Sequence, residues 1–201
     1  MYTALAATSE TLTDFLLTAF AADPALGALF GGGGTMTVSL NNPQEMSDEP
    51  LEGLSLWLYL VQRDGETLNQ PPVRIDSSHM RNPPLPMRLH FLATPIVNRG
   101  ATGSAQTEQI ILGRTLQLLY DHPLFRGTDL RGDLQGTEAE LRVRLEPMSL
   151  EEITRVWNAL DRSYQLSVSY EVGIVDIMST HVDAAGTVRE TILRSGIMVT
   201  E

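Results

Sequence analysis

The sequence contains no cysteine, which excludes disulfides, thiolate zinc sites, iron-sulfur clusters and cysteine nucleophiles together. It contains no lysine either, because all 14 basic residues are arginine. A P-loop lysine, a Schiff-base lysine and a lysine general base are thereby excluded. The remaining cation is the planar guanidinium, which pairs with carboxylates bidentately and keeps its charge on burial, a chemistry suited to interfaces. No apolar run approaches the roughly 18 residues that a membrane span requires, so direct membrane insertion is not expected. The N-terminus, Met1-Tyr2-Thr3-Ala4-Leu5 with Glu10 and Asp14 soon after, places no basic residue ahead of an apolar stretch. That pattern is not a secretory signal, and synthesis in the cytoplasm is expected. The formal charge of -11 repels nucleic acid and anionic lipid over most of the surface, and no basic stripe offsets it. No nucleic-acid partner is expected.

The chain is 201 residues long, 42% hydrophobic and 19% charged, enough to bury a core as one domain spanning 1–201 without cross-links. Apolar residues Leu12, Phe15, Leu16, Ala19 and Phe20 recur at helical spacing and predict a first helix over 3–20. The glycines at 31–34 carry too much backbone freedom for a helix, so 27–34 reads as a break. A short strand at 35–40 and a polar loop at 41–50 follow. At 53–62, Leu54, Leu56, Leu58 and Leu60 alternate with Trp57, Tyr59 and Val61, the pattern of a strand covered on both faces. Five prolines between 64 and 86, namely Pro71, Pro72, Pro83, Pro84 and Pro86, mark a long loop denied a ladder.

A strand at 87–97 precedes a helix at 105–121 with Ile111, Leu112, Leu116, Leu119 and Tyr120 inward. A strand at 139–145 leads to a capping box, Ser149 with Glu152, and a staple of Met148 on Ile153. Ile153, Val156, Trp157 and Leu160 form the buried stripe of that helix. Two strands at 165–178 and 187–200, joined by Asp183-Ala184-Ala185-Gly186, predict a C-terminal β-hairpin. The expected fold is α/β (α+β): a mixed, mainly antiparallel sheet with about three helices packed on it.

No residue pattern forms a catalytic or cofactor site. The histidines His79, His90, His122 and His181 stand one to an element, without metal-ligand spacing. The glycine run lies between a helix and a strand, the reverse of a phosphate loop. Ser104 lacks a nucleophile elbow and reads as a helix cap; Glu151 and Glu152 read as cap and dipole groups. Arg131-Gly132-Asp133 is a common loop tripeptide. No enzyme activity, cofactor or metal is therefore expected.

Several segments carry a resemblance. These are Pro83-Pro84-Leu85-Pro86-Met87-Arg88-Leu89-His90-Phe91, Leu112-Gly113-Arg114-Thr115-Leu116, Leu145-Glu146-Pro147-Met148-Ser149 and Tyr164-Gln165-Leu166-Ser167-Val168-Ser169-Tyr170. In order and spacing the chain resembles the cap, or tail-terminator, proteins of phage-tail-like contractile injection systems, of the antifeeding prophage and Photorhabdus virulence cassette type. The resemblance implies a hexameric ring that closes the distal end of the inner tube and sheath and fixes particle length. Its implied partners are a homo-hexamer and the sheath and inner-tube proteins, in a particle that stays intracellular or is released by lysis. Expected interface residues are Arg74, Arg81 and Arg88, pairing with carboxylates on a neighbour, and Val188, Ile192, Ile197 and Val199 on a terminal docking strand. The competing expectation is a small-molecule-binding or hydrolytic α/β protein with a pocket under the glycine-rich and proline-rich loops.

Overall fold

The computed structural model of the chain describes residues 2–67, 71–98, 100 and 103–184. Among the described residues there are five α-helices: α1 (Ala4–Ala21), α2 (Gly27–Phe30), α3 (Pro43–Asp48), α4 (Ser104–Asp121) and α5 (Leu150–Ala159). The strands are β1 (Met36–Ser39), β2 (Glu52–Arg63), β3 (Val73–Arg74), β4 (His79–Arg81), β5 (Leu85–Ile96), β6 (Leu124–Arg126), β7 (Glu140–Glu146), β8 (Val168–Ile177) and β9 (Val182–Ala184). Six of them form a sheet in the order β1-β2-β5-β8-β7-β6, and β3-β4-β9 form a small second sheet. Only the β1–β2 pair is parallel, joined across α3; β2, β5, β8, β7 and β6 pair antiparallel. The mixed α+β class read from the sequence is the one observed.

The two faces of the large sheet bury different clusters. On the first, Leu54 and Leu56 of β2, Leu89, Phe91 and Ala93 of β5, and Tyr170 and Val172 of β8 pack with Leu12, Leu16 and Phe20 of α1 and Ile111 and Leu119 of α4. On the second, Leu92 of β5 meets Ile153, Trp157 and Leu160, with Trp57, Tyr59 and Met148 against them. The pleat of β5 thus feeds two cores alternately. Inside α1 the buried hydroxyls of Thr8 and Thr11 donate to the carbonyls of Ala4 and Ala7 at 2.8 and 2.7 Å.

Several expectations need correcting. One helical turn, α2, forms at Gly27–Phe30 before the chain turns back at Gly34, where a Cβ would lie 2.0 Å from the Leu29 carbonyl oxygen; only glycine fits there. The polar loop at 41–50 contains α3, started by a capping box of Asn42 with Glu45 and by Pro43 in its first turn. In the proline-rich segment the prolines sit at the two ends and leave 73–82 free of them, so β3 and β4 do form a ladder. Its turn is closed by Asp76, whose carboxylate accepts from the Ser78 N–H at 2.8 Å. β2 is covered on both faces only in its first half; past a register slip between Leu58 and Leu60 its residues are exposed.

Tyr120 is 84% exposed, because the buried stripe of α4 runs through Ile111, Leu112, Thr115 and Leu119. The N-cap of α4 is Gly103 with φ 85, with Ser104 already inside the helix. Asp183 and Ala184 belong to β9, paired with Met80 and His79, and do not form a turn. The second hairpin strand at 187–200 lies outside the described residues.

The capping box of α5 is as expected: the Glu152 N–H donates to Ser149 Oγ at 3.3 Å and the Ser149 N–H to Glu152 Oε2 at 2.8 Å. Trp157 is fully buried beneath, its Nε1 donating to Ser167 Oγ at 3.0 Å. Ser149→Ala is expected to cost about 1 kcal/mol and lower Tm by about 2–4 °C, and Trp157→Ala about 3–5 kcal/mol. Thermal melts followed by circular dichroism check both; a neutral Trp157→Ala would contradict the packing described.

Candidate functional site

Along the second face of the large sheet, side chains change from apolar to buried polar to charged with distance from α5. Next to the Trp157 cluster, Glu146 Oε2 accepts from Ser169 Oγ at 2.7 Å and from the Tyr59 hydroxyl at 3.3 Å, and lies 3.1 Å from His90 Nδ1. A carboxylate at Nδ1 favours the tautomer with its proton there. Burial pushes the Glu146 carboxyl up, but the Ser169 hydroxyl, the His90 imidazole and the Tyr59 hydroxyl outweigh it, and the net direction is down. Burial raises the Tyr59 hydroxyl, with the Glu146 charge adding to it.

Farther out, three strands and the residue that follows a fourth contribute to one charge ladder. Asp64, just beyond β2, has a side chain only 1% exposed. It accepts from the Thr67 N–H and hydroxyl at 3.1 and 2.7 Å, and from Arg88 Nε at 2.7 Å. Arg88 Nη1 reaches Glu171 of β8 at 3.3 Å, and Glu171 also meets Arg144 of β7 at 2.5 Å. The register that sets His90 opposite Glu171, and Glu171 opposite Arg144, brings these residues together. The Thr67 hydroxyl foremost, and then Arg88, hold the Asp64 carboxyl below its ordinary value; the Asp64 hydrogen bond in turn raises Arg88. The ladder is a buried anchor grading into an exposed rim of arginines.

Of the residues expected at an interface, Arg74 and Arg81 are brought onto adjacent strands of the small sheet. The register Val73↔Arg81 and Arg74↔Met80 puts them on opposite faces of it. Val73, Ile75 and Val182 are exposed nearby. Arg88 is separated from them: it stands in the large sheet, with Asp64 and Glu171 of its own chain as partners. Val188, Ile192, Ile197 and Val199 lie outside the described residues. Arg131-Gly132-Asp133 clasps α1, with Arg131 Nη2 2.7 Å from Asp14 and the Thr3 hydroxyl donating to Asp133.

The four histidines each face a single carboxylate, on Asp76, Glu146, Asp129 and Asp183. Among the described residues no group of three or more acidic or histidine side chains is placed to hold a metal ion, and no helix is long and apolar enough to cross a membrane. Two open clefts of about 590 Å³ exist, one lined by Met46, Leu51, Ile96 and Glu108 and one by Leu116, Tyr120, Pro123 and Leu145. Neither is formed by Gly31–Gly34 or by the proline-rich segment. None of Asp64, Glu146, Glu171, Arg144 and Tyr59 is among the site residues expected from the sequence; their partnership depends on strand register, which local periodicity does not carry.

The ladder has a pH signature. Asp64 and Glu146 titrate lower in the folded chain than unfolded. Their contribution is complete above the unfolded carboxylate range, about 4, and is lost as pH falls through the lower folded values. Asp176, pushed up by burial, acts with the opposite sign. Urea midpoints are expected to fall below about pH 4, and Asp64→Asn is expected to lower the midpoint at pH 7 and flatten the acid limb. An unchanged acid limb in the variant would show that Asp64 plays no part in it.

A comparison with curated protein sequences finds none that matches this chain. Among solved structures, the fold is similar to the sheath/tube terminator, in its extended state, of the PVC extracellular contractile injection system: 15% identity, TM-score 0.56, over 95% of this chain and 64% of that one. It is also similar to the tube terminating cap of the anti-feeding prophage, with 14% identity and a TM-score of 0.52 over 98% of this chain and 61% of that one. At such identities the likeness is one of fold, and this chain spans less than two thirds of the length of either. The sequence itself matches the family described as the Pvc16 N-terminal domain over residues 7–191. With that match covering most of its length, the chain belongs to the Pvc16 N-terminal domain family.

Proposed function

We propose that the chain is a structural subunit of a contractile injection particle, where it forms a hexameric ring that closes the distal end of the inner tube and sheath. The observation that carries this reading is family membership over 7–191, joined to a fold shared with a sheath/tube terminator and a tube terminating cap. A two-cored sheet supplies the rigid body that a load-bearing ring needs, and the exposed small sheet supplies a surface for a different partner. There Val73, Ile75 and Val182 offer apolar area with Arg81 on the same face and Arg74 on the other. The residues at 188–199 remain a proposed docking strand on the same side of the argument: main-chain pairing for affinity, alternate side chains for specificity. On this reading the chain is made in the cytoplasm and does its work as a component of the particle, without catalysis.

Tagging the chain and imaging particles by electron microscopy tests the proposal. The label is expected at one end of each particle, in an end ring of six copies. Exposed rim pairs are each worth about 0–1 kcal/mol, so Arg74→Ala or Arg81→Ala alone should leave end occupancy intact. The double variant should make it more sensitive to salt. A protein that sediments only as a monomer and labels no particle end would contradict the proposal; a double variant identical to the parent would remove both arginines from the interface.

A further inference from the structure

A closed ring of one chain is built from heterologous contacts, in which one surface of a copy meets a different surface of the next. The two lateral edges of the large sheet differ in the manner such a contact requires. At one edge β6 stops where Leu124 pairs with Arg142, so Arg144–Glu146 of β7, paired with β8 on its inner side, has no strand on its outer side among the described residues. Beneath this edge lies the apolar cleft between α4 and β7, flanked by exposed Tyr120 and Leu145. On the other face of the edge stand Arg126, Arg142 and Arg144, with side chains 69%, 71% and 65% exposed. They share Glu140 and Glu171 between them.

The opposite edge is β1, and α3, which follows it in the chain, packs on β2 and β5. α3 presents Glu45, Asp48 and Glu49, all exposed, and Asp48 pairs with Arg162 at 2.9 Å. Exposed Leu40 follows β1 directly, next to Asn41, whose amide donates to Glu49 at 3.2 Å.

We infer that these two edges are the two halves of the contact between neighbouring copies: the Leu40–α3 corner of one seats on the cleft and arginines of the β7 edge of the next. A second copy is the occupant that charge selects. The chain carries -11, so most of its surface repels another copy, and an arginine edge facing an acidic corner is where attraction overcomes that repulsion. Apolar area at the centre with charge at the margin is the usual anatomy of a protein interface. The inference rests on the ring reading and adds its two surfaces.

Charge reversal tests it in three variants: Arg126→Glu with Arg142→Glu, Asp48→Arg with Glu49→Arg, and all four together. Each is checked for an unchanged melt and then for self-association by sedimentation velocity and for occupancy of particle ends. Either twofold variant is expected to weaken association about tenfold or more, by setting like charges opposite each other. The fourfold variant, in which opposite charges face again, is expected to recover it. Twofold variants that associate like the parent overturn the inference and leave the ring reading standing. Twofold variants that associate normally but no longer join particle ends assign the arginine edge to sheath or tube, which also overturns it. If the unmodified chain associates neither alone nor at particle ends, the ring reading itself has failed.

Discussion

The structure is organised by the burial of β5 on both of its faces. Phe91 and Leu92 are adjacent in the chain, fully buried, and belong to two different cores, one under α1 and α4 and one under α5. Burying a side chain of this size is worth roughly 1.5–3 kcal/mol, and β5 does so in both directions along most of its length. Neither helical layer can be lost without exposing half of the strand. The consequence is stiffness: α5 on one face is tied to α1 on the other through a single pleat, with β2 and β8 hydrogen-bonded on either side.

The second face then has to solve a different problem, because α5 covers only one end of it. Beyond Trp157 no helix among the described residues excludes water, and the side chains become polar where they are still enclosed and charged where they are not. Glu146 and Asp64 are each held by several donors before any cation meets them, which is the condition for burying a carboxylate at all. Arg88 and Glu171 extend the ladder outwards until, at Arg144 and Arg142, the guanidinium groups stand in solvent. An edge of that kind adds little stability to its own subunit, since exposed pairs contribute at most about 1 kcal/mol.

Much of the scaffold was legible in the sequence because it rests on local signals. Helical spacing marks α1 and α4, the Ser149–Glu152 box marks the start of α5, and alternation marks the first half of β2. What was not legible depends on contacts far apart in the chain. The parallel pairing of β1 with β2 requires Gly53 at φ 130, where a Cβ would come within 2.0 Å of the Thr37 carbonyl oxygen, and nothing in the surrounding pattern announces it. β6 is three residues long, too short for a period. Arg88 looks from its neighbours like one more arginine of the proline-rich segment with Arg74 and Arg81; register places it beside Glu171 and leaves those two on a separate sheet. Register thus separates three arginines that the sequence sets in one segment, and the helix α3 was read from the sequence as loop.

The central claim, that this chain terminates a contractile particle, bears on the length of that particle. The direct measurement is the length distribution of particles assembled from the full gene set with and without this chain, read from electron micrographs. The account predicts a narrow distribution with the chain and a broad one, with open tube ends, without it. Particles of unchanged length and closed ends in its absence would contradict it.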